Sequence, residues 1–203
     1  MLNLETPRLI IRDFHEADAG VLYDIKVDER VMYFCPDFLD VDIAADDVVG
    51  YIRGFNRAEA ERDPDPWRCY AIEVKETHRV VGCLCFGKQN MLREYELGWM
   101  MLGAYAGKGY ASEAAAVFAE YICDAYQIPY LIVVMDVDNP ASYRCAEKAG
   151  FRLFEKRTVY DYSVNRYCDD YYCFRRYPSW STCESKFYGD VPYEGRIVNG
   201  GEQ

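Results

Sequence analysis

The stretch YELGWMMLGAYAGKGYAS, residues 95–112, decides the fold of this chain. Its apolar first half, 95–102, predicts a β-strand, and residues 103–109 form a glycine-containing loop. The alanine-rich residues 111–126 that follow have high helix propensity. A strand, a glycine loop and a helix in this order aim backbone N–H groups and the positive end of a helix at one point, which predicts a phosphate-binding site.

Three known kinds of phosphate-binding loop have a glycine pattern similar to this one. In a P-loop the first glycine lies further from the Gly-Lys pair than Gly103 does from Gly107, and Gly109 stands where Ser or Thr would bind magnesium. A dinucleotide-binding fingerprint needs a third glycine, where this chain has Ser112, and an early βαβ unit. The pyrophosphate loop Gln/Arg-x-x-Gly-x-Gly/Ala is matched by residues 106–111 at all but its first position.

The rest of the chain supplies strands and helices in mixed order. We expect strands over 9–12, 67–74, 79–87, 95–102, 130–136, 153–162 and 168–177. We expect helices over 19–27 with Asp18 as its cap, over 43–62 and 111–126, and from Asn139 to about Gly150, with residues 28–40 irregular. Hairpins at both ends and one strand–helix–strand unit in the middle predict an α+β, or mixed α/β, fold around one sheet.

Length and charge narrow the classes of function. A chain of 203 residues that is 51% hydrophobic favours one globular domain. The formal net charge of −11 argues against a nucleic-acid partner, because neutralising phosphates needs Lys and Arg. An acidic surface suits a cationic partner instead.

The sequence shows neither a targeting signal nor a metal-binding pattern. The chain lacks a long apolar run and begins without a signal-peptide pattern, so we expect a cytoplasmic protein with no membrane partner. The nine cysteines include no Cys-x-x-Cys pair, and His15 and His78 lie near none of them. We therefore expect no metal site, and most of the cysteines reduced and buried as small apolar side chains.

Four ordered motifs resemble the GNAT superfamily of acyltransferases, and within it the ribosomal-protein N-terminal acetyltransferases of the Rim type. Residues 95–114 are similar to the family's coenzyme A loop and the strand before it. Residues 4–12 resemble its first strand, and residues 138–142 with 147–151 resemble its next motif. Asp169 or Asp170 before the last strand also fits the family pattern. The resemblance implies one acyltransferase domain over residues 1–177 and a C-terminal extension, 178–203, of unknown role.

The resemblance also implies a fold and a coenzyme site. The fold is a twisted, mostly antiparallel sheet of about seven strands flanked by helices. Its two neighbouring parallel strands, around 95–102 and 130–136, splay apart and hold acetyl-coenzyme A as cosubstrate. The implied coenzyme contacts are the backbone of Trp99, Met100 and Met101 for the pantetheine arm, the loop residues Gly107, Lys108, Gly109, Tyr110, Ala111 and Ser112 for the pyrophosphate, and Asn139 for the coenzyme arm. Arg144 and Lys148 are expected near the adenosine phosphates.

Acyl transfer from a thioester to an amine needs a base, a polarised carbonyl and a proton for the leaving thiolate. A backbone N–H on the splayed strand can polarise the carbonyl. Glu96 is the candidate base, acting directly or through a water. Many members protonate the thiolate with a tyrosine, but Ala146 stands at that position, so Ser142 is the candidate proton donor.

Two residues depart from the family pattern on the coenzyme side of the site. Ala106 replaces the Gln, Arg or Trp usual at the start of the loop, and Met100 replaces a bulky aromatic residue.

Aromatic and acidic side chains of two segments predict a cleft for a cationic amine. They are Tyr33, Phe34, Phe38, Tyr160, Tyr162, Tyr167 and Tyr171, with Asp37, Asp40, Asp161, Asp169 and Asp170.

The sequence thus predicts an acetyl-coenzyme A-dependent N-acetyltransferase. It would move the acetyl group to a primary amine, either a protein N-terminus or a small-molecule amine, by direct attack in a ternary complex. The alternative is a non-catalytic regulatory module that binds acyl-coenzyme A, which the missing tyrosine and Ala106 favour. A homodimer is the expected assembly.

Overall fold

The computed structural model describes residues 2–36, 38–39, 44, 47–88, 93–161 and 166–181, with side chains omitted at 157, 159–161 and 166–170. The strands are β1 (Asn3–Glu5), β2 (Leu9–Asp13), β3 (Arg68–Val74), β4 (Arg79–Gly87), β5 (Glu96–Met101), β6 (Leu131–Asp136), β7 (Arg152–Asp161) and β8 (Arg166–Arg176). The helices are α1 (Ala19–Val27), α2 (Glu29–Phe34), α3 (Val48–Glu61), α4 (Tyr110–Tyr126) and α5 (Pro140–Lys148), and 3-10 turns span Glu16–Asp18 and Gly103–Tyr105.

The described strands form one sheet of eight in the order β1-β2-β3-β4-β5-β6-β8-β7. Neighbours run antiparallel except for β5 and β6, which are parallel. This confirms the mixed α/β fold class. The strand beyond the expected seven is β1, whose three residues pair with β2 and are too short to give an alternation of apolar residues.

The parallel pair parts soon after it begins. In these two fully described strands, the register consists of Glu96 opposite Ile132, and the amide of Ile132 donates to the Tyr95 carbonyl over 2.9 Å. On its other edge, β5 pairs with β4 along its whole length, from Glu96 to Met101. The sheet therefore opens between β5 and β6 at the carboxyl ends of both strands, as the family resemblance implied.

Side chains from the two faces of the sheet build two hydrophobic cores. The first core packs α4 and α5 on one face, and it includes Leu97 of β5 and Phe118 of α4. The second core packs α1 and α3 on the other face, and it includes Met100 of β5 and Ile52 of α3. Successive side chains of a strand point to opposite faces, so β5 contributes to both cores.

Some predicted elements begin or end elsewhere. The segment 28–40 contains a helix, α2, because the carboxylate of Asp28 accepts a hydrogen bond from the amide of Arg30 and caps it. Helix α3 starts at Val48 rather than near residue 43, and residues 43, 45 and 46 lie outside the described part. Asp18 is the N-cap residue of α1, as expected, but its carboxylate makes no capping hydrogen bond to the helix, since it binds Arg12 and the amide of His15 instead.

Within the described residues, none of the helices combines the length and the apolar character that crossing a bilayer requires.

Candidate active site

The opening between β5 and β6 lies at the N-termini of two helices. Helix α4 follows β5 through the glycine loop, and α5 follows β6 through a turn at residues 137–139. The first N–H groups of a helix have no acceptor within that helix, and its N-terminus carries a partial positive charge. The mouth of the opening is therefore suited to an anionic group.

Glycine is required at two positions of the loop. Gly107 and Gly109 have φ angles of +76° and +78°, in the left-handed region that L-residues with a Cβ rarely adopt. Gly109 precedes the first residue of α4, and its carbonyl accepts hydrogen bonds from the Glu113 amide and the Ser112 hydroxyl. The amides of residues 110–112 are the first of α4, where N–H groups have no acceptor within the helix.

An arginine that the sequence reading missed lies against this loop. The Arg8 Nη1 donates to the Lys108 carbonyl over 3.0 Å, and the guanidinium lies 4.7 Å from the centroid of the Tyr110 ring. A Cβ on Gly109 would approach Arg8 Nη2 to 3.4 Å. Arg8 precedes β2 and is a hundred residues away in sequence, so no local pattern could have identified it as part of the loop.

Glu113 holds Arg8 in this position. Its carboxylate accepts from Arg8 Nε over 2.6 Å, from the Arg8 amide over 3.0 Å and from the Thr6 hydroxyl over 2.5 Å. Partial burial raises the pKa of Glu113, but the hydrogen bonds from Thr6 and Arg8 outweigh it and the pKa lies below its usual value. A carboxylate in the first turn of α4 is thus fixed as an anion, and Arg8 compensates its charge.

The backbone of β5 presents alternate residues to the opening. The Tyr95 carbonyl points to β6, whereas the Leu102 amide donates to Val81, the residue before Gly82 on β4. Since N–H and C=O groups of successive strand residues point to opposite edges, Trp99 and Met101 face the opening and Met100 faces β4. The close approach of the Met100 carbonyl to Gly82 on β4 agrees with this parity.

Two residues singled out from the sequence meet across the opening. The Trp99 indole Nε1 lies 3.3 Å from Ser142 Oγ and donates to it. Ser142 is fixed by its own amide, which donates to the Asn139 side chain over 3.1 Å and so caps α5. Because the hydroxyl accepts from the indole, its own hydrogen is available to another acceptor.

The sequence of residues 8–152 matches the family described as acetyltransferase (GNAT) domain. The chain is a GNAT acetyltransferase. It is 30% identical over 173 residues to YnaD of Bacillus subtilis, an uncharacterized N-acetyltransferase, and these residues are 84% of this chain and 95% of YnaD. Membership of the family implies acetyl transfer from acetyl-coenzyme A.

Solved structures agree with the fold of this GNAT enzyme. The ribosomal-protein-S5-alanine acetyltransferase from Vibrio fischeri superposes with a TM-score of 0.74 at 13% identity, over 90% of this chain and 100% of that one. RimL, the ribosomal L7/L12 alpha-N-protein acetyltransferase, solved with coenzyme A, gives 0.71 at 15% identity, over 87% and 98%. Ribosomal-protein acetyltransferases are thus among its structural neighbours.

In this GNAT enzyme Glu96 and Trp99 point to opposite faces of the sheet, and Ser142 of α5 lies on the face of Trp99. Glu96 shares strand parity with Met100, which belongs to the second core, and it lies where the two strands begin to part. Trp99 packs on the first core, and Ser142 contacts it there. Glu96 and Trp99 are three positions apart, which is about 10 Å along the strand.

Of the remaining predicted residues, the structure describes some and leaves others outside the described region. Ala146, at the position of the proton-donating tyrosine of other members, is fully buried in the first core, and Tyr143 packs edge-on against Tyr172 and Phe174. Arg144 and Lys148 are exposed on α5. On the acceptor side, Tyr33 is exposed and Phe34 packs edge-on against it, whereas Phe38 is buried in the second core. Asp37, Asp40 and Tyr162 lie outside the described residues, as do the side chains of Tyr160, Asp161, Tyr167, Asp169 and Asp170.

Proposed function

We propose that this enzyme transfers the acetyl group of acetyl-coenzyme A to a primary amine by direct attack in a ternary complex. The observation that carries the proposal concerns the opening between β5 and β6. Glu96 points to one face of the sheet there, whereas Trp99 points to the other face, where it contacts Ser142 of α5. A base on one face and a proton donor on the other suit an amine and a thioester that meet within the opening. Coenzyme and acceptor can then be bound at the same time.

The coenzyme would lie on the side of α4 and α5. Gly107 and Gly109 allow the diphosphate to approach the backbone, and the amides at the start of α4 donate to it. Arg8 adds a guanidinium beside the same loop, and Lys108 is exposed on it. The N–H and C=O groups of Trp99 and Met101 continue the sheet with the pantetheine arm, whereas Met100 supports the strand from the second core.

The chemical step assigns one role to each group. Glu96 takes a proton from the amine, directly or through a water, so that its nitrogen can attack the thioester carbonyl. A β5 amide facing the opening donates to the carbonyl oxygen as negative charge develops there. The new C–N bond forms as the C–S bond breaks. The Ser142 hydroxyl, whose oxygen accepts from the Trp99 indole, gives its proton to the leaving thiolate and takes up a proton from solvent in its place.

The acceptor we propose is the α-amino group of a protein N-terminus, with a small cationic amine as the other candidate. An α-amino group has a pKa of about 7.7–8.0, so one modest base such as Glu96 suffices, whereas a lysine amine at about 10.4 needs more help. The names of two structural neighbours, both acting on ribosomal proteins, support this choice. The net charge of −11 favours a cationic acceptor.

The remaining features are proposed on the sequence alone. We take residues 1–177 as the acetyltransferase domain, in a cytoplasmic homodimer without nucleic-acid or membrane partners. The family match ends at residue 152, and β8 ends at Arg176.

A thiol-release assay tests the proposal directly. The full chain is incubated with acetyl-coenzyme A and a panel of peptides with different N-terminal residues, acetylated-N-terminus peptides carrying a lysine, and small polyamines. We expect free thiol and a mass increase of one acetyl group on the peptides with free N-termini. Coenzyme binding without acetylation of any amine would favour the non-catalytic module instead, and no binding of acetyl-coenzyme A would overturn both assignments.

A further inference from the structure

Four sulfur atoms meet beneath β5, on the face of the sheet away from α4. The Sγ atoms of Cys69, Cys83 and Cys85 all lie within 4.8 Å of one another. Cys69 and Cys85 are 2.9 Å apart and Cys83 and Cys85 are 3.9 Å apart. The Met100 Sδ lies 3.7 Å from Cys83 Sγ and 3.5 Å from Cys85 Sγ. We call these four residues the sulfur cluster.

The register of three strands assembles the sulfur cluster. Cys69 of β3 lies directly opposite Cys85 of β4, and Cys83 of β4 lies directly opposite Met100 of β5. Cys83 and Cys85 are two residues apart on one strand and therefore point to the same face. Cys69 lies 14 residues before Cys83, and Met100 lies 15 residues after Cys85, so only the pairing of the strands brings the four together. The sequence contains no Cys-x-x-Cys pair, and for this reason no site is predicted from it.

The surroundings of the cluster are apolar. Its three cysteines are at most 1% exposed, and the second core around them is built from residues such as Phe14, Ile25 and Ile52. Burial raises the pKa of the Cys69 and Cys85 thiols, whereas hydrogen bonds from both neighbouring thiols lower that of Cys83. The four sulfur atoms therefore have one another as their nearest polar neighbours.

We propose that the sulfur cluster binds one soft, sulfur-preferring metal ion through its three cysteine sulfurs and the Met100 thioether. The metal we propose is Cu(I). Sulfurs about 2.3 Å from a metal are about 3.8 Å from one another, which is close to three of the four separations above. Cys69 and Cys85 would have to move apart by about 1 Å to complete the site.

The donor set selects the kind of metal. The group offers thiols and contains no imidazole or carboxylate, and a thioether completes it. Thiolate and thioether ligands together suit Cu(I), whereas protein Zn(II) sites use Cys, His and carboxylate. Each thiol that binds the ion releases its proton to solvent, so affinity decreases as the pH falls. The proposal is independent of the acetyl-transfer assignment, although Met100 connects the cluster to the strand that lines the opening.

Anaerobic titration of the reduced full chain with Cu(I) tests the site. The competitor is a chromogenic Cu(I) chelator, and native mass spectrometry gives the stoichiometry. We expect one Cu(I) per chain, thiolate-to-copper absorption in the near ultraviolet and a raised melting temperature. Cys83→Ala should weaken binding by about 100-fold, and Met100→Leu, which keeps the volume, by about tenfold.

A matched control and two adverse results make the test decisive. Cys123→Ala removes a thiol that is buried in the first core on the other face of the sheet, and its affinity should equal that of the native chain. The site is refuted if Met100→Leu and Cys83→Ala, both folded by circular dichroism, bind Cu(I) like the native chain. It is also refuted if the chain purified without reductant carries a Cys69–Cys85 disulfide that accounts for the close approach of these two sulfurs and the reduced chain takes up no copper.

Discussion

The Trp99 indole nitrogen and the Ser142 hydroxyl oxygen are 3.3 Å apart and join β5 to α5 across the opening in the sheet. The indole N–H fixes the serine as a hydrogen-bond acceptor, and this directs its own hydrogen elsewhere. A side chain on the strand thus orients a side chain on the helix, although 42 residues lie between them in the sequence.

Removing the indole N–H while keeping a large aromatic ring tests this link. One hydrogen bond contributes about 1 kcal/mol, so Trp99→Phe should lower kcat about fivefold. The KM for acetyl-coenzyme A should stay unchanged, because the backbone of residue 99 is retained. Ser142→Ala should lower kcat at least as much, and the double variant no further than Ser142→Ala alone. Additive effects of the two substitutions would show that Trp99 does not act through Ser142.

Glu96→Gln tests the proposed base. The amide keeps the shape of the side chain but cannot accept the proton of the amine, so kcat should fall by about 10²–10⁴-fold. The fall in rate toward acid pH that the native carboxylate causes should disappear in the variant. Glu147→Gln, an exposed change on α5, is the control and should retain the native profile. A pH–rate profile of Glu96→Gln that overlays the native one contradicts the assignment.

Gly109→Ala tests the loop. A side chain in the left-handed region costs about 1–2 kcal/mol, and the new Cβ would meet Arg8 Nη2 at 3.4 Å. We expect calorimetry to give a Kd for acetyl-coenzyme A raised by about tenfold or more. Gly54→Ala is the control, because a Cβ there meets no atom within 4 Å, and alanine in a helix should stabilise the chain by about 0.5–1 kcal/mol. An unchanged Kd for Gly109→Ala would remove the loop from the coenzyme site.

Arg8→Gln tests whether the arginine serves the coenzyme or only the fold. Without the guanidinium, the Glu113 carboxylate faces the diphosphate uncompensated, so the Kd for acetyl-coenzyme A should rise about tenfold with little change in kcat. Adding Glu113→Gln should recover part of that affinity, which a purely structural role would not explain. The exposed Arg57→Gln on α3 should bind like the native chain. A lower melting temperature with an unchanged Kd for acetyl-coenzyme A would show that Arg8 serves only the fold.

The Arg8–Glu113 pair also predicts a pH dependence of stability. The pKa of Glu113 is lower in the folded chain than its ordinary value, so the pair contributes to stability above pH about 4.3 and the contribution is lost as the pH falls through the folded pKa. Because Arg8 is half exposed, the contribution should be small, about 0.2–1 kcal/mol. Denaturant unfolding at a series of pH values from 7 downward should show the difference in stability between the native chain and Glu113→Gln shrinking as the solution becomes more acidic; a difference that does not change with pH contradicts this account.

Local patterns predicted most of the architecture. Alternation and apolar runs located β3 to β8, and the alanine-rich run located α4, because those elements bury apolar side chains at the period of their own geometry. They missed β1 and α2, which are both short. Strand β1 depends on pairing with β2, and helix α2 depends on its cap, Asp28. The carboxylate of Asp18 does not cap α1 because Arg12, six residues earlier on β2, binds it.

The sequence by itself determined the order of the elements, the positive-φ glycines of the loop and the family motifs around Glu96 and Asn139, since each depends on residues close together in the chain. Tertiary structure alone decided which side chains meet. Arg8 reaches the loop because β2 and α4 pack together. Strand parity turns Glu96 and Trp99 to opposite faces, and the packing of α5 brings Ser142 to Trp99. The sulfur cluster arises from the register of β3, β4 and β5. Strand register and packing between distant segments minimise the free energy of the whole sheet, and no short window of sequence contains that information.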